Sequence, residues 1–138
     1  MRRAWLSVAV LAMACAPWLV GCGGDDGGES TAQEAARDYV QARNQGDAGR
    51  VCELYSQQLV QQLHATNCEA FVKEQAAGVA TSFTLVRVDQ SGDRATAILR
   101  ASVAGTEGGG GRLRVSLERQ GDEWRITSLG GPGARSSD

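Results

Sequence analysis

"RLRVSLERQGDEWRITSL", residues 112 to 129, decides the fold. Leu113, Val115 and Leu117 alternate with Arg114, Ser116 and Glu118, the period of a strand with one buried face. Gly121-Asp122 is a turn pair, and residues 123 to 129 resume as a second strand, so the stretch reads as a hairpin. Working backward, "RATAILRASV" (94 to 103) and "SFTLVRVDQ" (82 to 90) are two more strands. Ser91-Gly92-Asp93 and the glycine-rich loop 105 to 111 separate them, and four strands joined by turns predict an antiparallel meander.

Before residue 78 the period is helical. Thr31 followed by Glu34 is a capping-box pair. Ala32, Ala35, Ala36, Tyr39, Val40 and Arg43 recur at helix spacing, and Gly46 in "NQGD" ends that helix. Asp47 can cap a second helix that carries Val51, Cys52, Leu54 and Tyr55 inward. A third, from about Gln57 to His64, offers Leu59, Val60 and Leu63. A fourth starts near Asn67 or Cys68, offers Phe71 and Val72, and ends by Gly78. Helices first and a meander second give an α+β class, with helices packed on one face of a curved sheet.

At 138 residues and 42% hydrophobic content the chain holds one domain with an ordinary core. Its formal charge is -2, and without Arg2 and Arg3 it is -4, which argues against a nucleic-acid partner. All basic residues but Lys73 are arginine, a bias that carries no mechanism.

The N-terminus runs from Met1-Arg2-Arg3 through an apolar stretch, Ala4 to Val20, into a polar glycine-rich segment. A basic region followed by a short apolar one is the export-signal pattern. A membrane span takes about 20 apolar residues, and this alanine-rich stretch is shorter and broken by Pro17. An uncleaved anchor is the competing reading. Leu19-Val20-Gly21-Cys22 resembles the lipobox of bacterial lipoproteins. The resemblance implies that residues 1–21 are a removed signal peptide and that Cys22 becomes the first mature residue. It would carry diacylglycerol, with palmitate-type acyl chains, as a membrane anchor. Two chains suffice for stable anchoring where one does not. The location implied is the outer face of the cell membrane, in the envelope. Residues 22–30 follow as a flexible Gly/Asp tether, residues 31–130 as the domain, and residues 131–138 as a disordered tail.

The element order, the "QGD" between the first two helices and the closing "WRITSL" resemble the nuclear transport factor 2-like, cystatin-related cone fold. More narrowly, the chain is similar to small actinobacterial envelope lipoproteins carrying such a domain. In that group a cysteine of the second helix commonly pairs with one opening a later helix, which here implies a Cys52–Cys68 disulfide. An oxidising compartment favours the bond. Closing a loop of about 15 residues would add roughly 3 kcal/mol. Two buried reduced thiols are the alternative, and with His64 they would make a three-ligand metal set that lacks the usual short paired spacings.

No serine nucleophile elbow accompanies His64, the single histidine. "GTEGGGGR" (105 to 112) runs into a strand, whereas a phosphate cradle runs into a helix, so it reads as a hairpin tip and calls for no cofactor. Cone-fold enzymes of isomerase, dehydratase or hydrolase type set Asp, His or Tyr in an apolar pocket. Tyr39, Tyr55, Arg100 and Asp38 are the residues that could stand there, against core packing for the tyrosines and an exposed strand face for Arg100. Tyr39, Tyr55, Phe71, Phe83 and Trp124 are the candidate pocket lining, with Trp124 either closing the core or framing a mouth. The expected role is non-catalytic binding, of an apolar small molecule or lipid in the cone or of an envelope protein on the open sheet face. A second copy of the chain could take the same place. The competing class is an enzyme acting on a small apolar substrate.

Overall fold

In a computed structural model the described residues are 31–63, 67–77, 80–107 and 110–131. The stretch expected to be an export signal, Cys22, the expected tether, His64 and the tail beyond residue 131 lie outside them.

Helix α1 (Ala32–Gln45) begins at a full capping box. The Thr31 hydroxyl accepts the Glu34 amide, and the Glu34 carboxylate accepts the Thr31 amide. It ends on Gly46, whose φ of 70° lies in the left-handed region that glycine enters without cost. Asp47 then caps α2 (Ala48–Leu54), Ser56 caps α3 (Gln57–Gln62) and Asn67 caps α4 (Cys68–Ala76). A short polar side chain thus opens each helix by accepting an orphan amide, which is why breaks between short helices fall where they do.

Strands β1 (Thr81–Ser91), β2 (Arg94–Val103), β3 (Arg112–Gln120) and β4 (Glu123–Gly130) form one antiparallel sheet in sequence order. Gly92 and Gly121, both at positive φ, make the two tight turns. Register slips once between Leu85 and Arg87, and once where Thr127 is extra opposite Ser116 and Leu117. Each extra residue bends its strand and adds twist, so the sheet curls around the helices.

One sheet face is the core floor. Leu85, Leu99 and Leu113 lie in one cross-strand row, and Val88, Ala97, Val115 and Leu129 in another. Ala32, Ala35, Ala36, Tyr39 and Ala42 of α1 pack onto that floor with Val51, Leu54, Leu59 and Ile126. Tyr55 departs from the expected helix: it is the extended cap after α2 and forms a parallel bridge with Ile126. The Ser56 amide donates to the Ile126 carbonyl at 2.8 Å, so this segment covers the β4 edge. At the other edge the Asn44 side chain donates to the Phe83 carbonyl at 2.9 Å and accepts the Phe83 amide at 2.8 Å. Both edges are therefore blunted by the helical layer. No helix among the described residues is long and apolar enough to cross a membrane.

Candidate functional site

The aromatic residues expected to line a pocket separate into two groups. Tyr39, Tyr55 and Trp124 are packed core, each 4% exposed or less. Phe71 and Phe83 are half-buried at the margin. The Tyr39 and Tyr55 rings lie 6.1 Å apart and tilted by 41°. The Arg43 guanidinium stands 5.0 Å from the Phe83 ring and 6.0 Å from that of Tyr39, within cation–π range of both. Thus α1 joins Tyr39, Phe83 and Arg43 into one cluster at its C-terminal end, where Asn44 holds the sheet edge.

The chemistry available inside is narrow. Among the described residues no Asp, Glu, Lys or Arg is buried, and the buried polar side chains are Tyr39, Tyr55 and Ser56. Burial, then the neighbouring Tyr55, pushes the Tyr39 phenol above its ordinary range, so it stays protonated and is no general base. The Tyr55 hydroxyl is buried without a hydrogen-bond partner. Asp38 instead faces solvent, in an ion pair with Arg50 that also engages Glu53. Arg100 lies on an exposed strand face. No cluster of three metal-ligating side chains occurs among the described residues.

Cys52 of α2 and Cys68, the first residue of α4, are joined as a disulfide with Cα atoms 6.0 Å apart. The bond fixes α4 beside α2, its main neighbour. Between the C-terminal end of α1, α2 and α4 lies an apolar cleft of about 200 Å³. Ala42, Ala48, Val51, Val72, Ala76 and Ala77 form its walls, with Arg43 and Lys73 beside them. Sequence reasoning missed this cleft because it looked for large aromatic side chains. The space exists because small ones face each other: Ala42 and Ala48 across the Gly46 turn, and Ala76 on the helix opposite. The signal was the alanine content of three amphipathic faces, legible only once the helices are known to meet.

No protein-family model matches the chain, and a search of curated proteins finds no match either. Solved structures do match. A nuclear transport factor 2-like protein of unknown function from Shewanella baltica superposes with a TM-score of 0.51 at 14% identity, over 70% of this chain and 86% of that one. Another, from Cytophaga hutchinsonii, gives 0.50 at 9% identity over 72% and 86%. A de novo designed protein with a curved β-sheet gives 0.54 at 18% identity, covering 75% of this chain and 100% of its own. At such identities the likeness is one of fold: the chain has the α+β cone fold of nuclear transport factor 2-like proteins.

Proposed function

We propose that this protein is an exported bacterial envelope lipoprotein of actinobacterial type, anchored through diacylglycerol on Cys22, whose domain binds an apolar small molecule or short acyl chain. The observation that carries the binding role is the cleft between α1, α2 and α4. It is walled by alanine and valine and small for a ligand site, which suits a compact apolar group. Arg43 and Lys73 beside it suit a ligand whose polar end is acidic. Among the described residues the interior holds no buried carboxylate or ammonium, which favours binding over proton transfer. The Cys52–Cys68 bond is in keeping with an oxidising compartment.

The binding role is tested by fluorescence titration with anilinonaphthalene sulfonate, an apolar ring system bearing an acid. Ala48→Leu fills the cleft and is expected to weaken binding more than about tenfold, since it removes apolar contact worth over 1.4 kcal/mol. Thermal stability should hold or rise, as for other cavity-filling changes. Unchanged titration by a folded variant would refute the cleft. Anchoring is tested separately by acyl labelling in cells, which Cys22→Ala should abolish.

A further inference from the structure

The sheet face turned away from the helices is charged unevenly. At the end away from the two tight turns, β2 and β3 place Arg100 directly opposite Arg112. Like charges on opposed residues repel, and this pairing weakens the hairpin unless something neutralises it. Both side chains are exposed, and no carboxylate pairs with either among the described residues. The next row carries Arg87 and Arg114 on either side of Ile98. Asp89, which holds Arg87 at 3.1 Å, is the single acid that the strands bring to this end of the face. Thr84 and Ser102 add hydroxyls beside Arg100. The tight-turn end of the sheet differs, for Arg94 pairs with Glu118 at 3.3 Å and Arg125 with Glu123. A chain of net negative charge thus gathers four arginines at one corner, and two of them, Arg100 and Arg112, meet no carboxylate among the described residues.

We infer that this corner of the sheet docks on anionic phospholipid headgroups of the membrane that anchors the protein. The inference rests on the lipid-anchored reading above. The cations are spread over three strands on an open face, which suits a surface of many phosphates better than one bound ion. Eight residues lie between Cys22 and Thr31, and the chain from one to the other spans at most roughly 30 Å, so the domain stays within reach of the headgroups. Each arginine held near an anionic surface strengthens association roughly fivefold. A second copy docking by the same corner would set arginine against arginine, so the charge pattern favours lipid over self-association.

The experiment uses the lipoprotein purified from its host membrane and placed in phosphatidylcholine vesicles, with or without phosphatidylglycerol. Phenylglyoxal modifies exposed arginines, and mass spectrometry reads each one. Arg100 and Arg112 are expected to react several-fold more slowly when phosphatidylglycerol is present. Arg37, exposed on α1 across the sheet, should not change. Arg100→Glu should abolish the protection of Arg112 while raising thermal stability, because it turns a repulsive cross-strand pair into an attractive one. Equal reaction rates in both vesicles would overturn the inference. So would equal protection by inorganic phosphate without vesicles, which marks a discrete ion site, or protection that tracks protein concentration, which marks self-association. The same digest reports whether Cys22 carries its acyl group, so a failed anchor is told apart from a failed docking face.

Discussion

Tyr55 brings a hydroxyl into the core and leaves it without a partner. A buried polar group that forgoes its water costs about 1–3 kcal/mol. Its ring, in contrast, packs beside Tyr39 and is 4% exposed. Tyr55→Phe keeps the ring and removes the cost, so chemical denaturation should show a stability gain of about 1 kcal/mol. A loss instead would mean that the hydroxyl has a partner in solution. The sequence marked Tyr55 as an inward-facing helical residue, and it is inward. It is not helical, because the bridge to Ile126 draws the chain into extended form. That contact joins residues 71 positions apart, so no local pattern foretells it.

At the scale of elements, most of what formed was written locally. Caps at Thr31, Asp47 and Asn67 opened helices where the sequence placed them, and the four strands begin and end within a residue or so of their expected bounds. The period of apolar residues and the turn residues are both short-range signals, which is why they could be read. How elements meet is different. The last turn of α1 joins β1 through Asn44, whose two hydrogen bonds to Phe83 replace a missing neighbouring strand. Asn44→Ala should cost about 1 kcal/mol, modest because water can reach the exposed edge. Amide exchange at Phe83 should quicken relative to Leu85, and an unchanged Phe83 rate would show that the side chain does not hold the edge.

For the molecule as a whole, one covalent bond decides how the helical layer is assembled. Helix α4 is nine residues long with a single fully buried side chain, Val72, so packing alone holds it weakly. Replacing Cys52 and Cys68 together by alanine should cost about 3 kcal/mol. Because α4 walls the cleft, the same variant should lose binding of anilinonaphthalene sulfonate at temperatures where the sheet remains folded. Retained binding would mean that α4 holds its place without the bond. By itself the sequence determined the class of fold, the order of elements and the buried face of β3. Those follow from periodicity and turn chemistry, which act between residues close in the chain. Only the tertiary structure decided that Tyr39, Tyr55 and Trp124 fill the core, and that an opening lies instead among facing alanines. It also decided that Arg100 meets Arg112 at one corner of the sheet. A cavity depends on what stands opposite, and a charged corner on the register of strands. Both are set by contacts between distant residues, where a single sequence carries the residue types but not their distances.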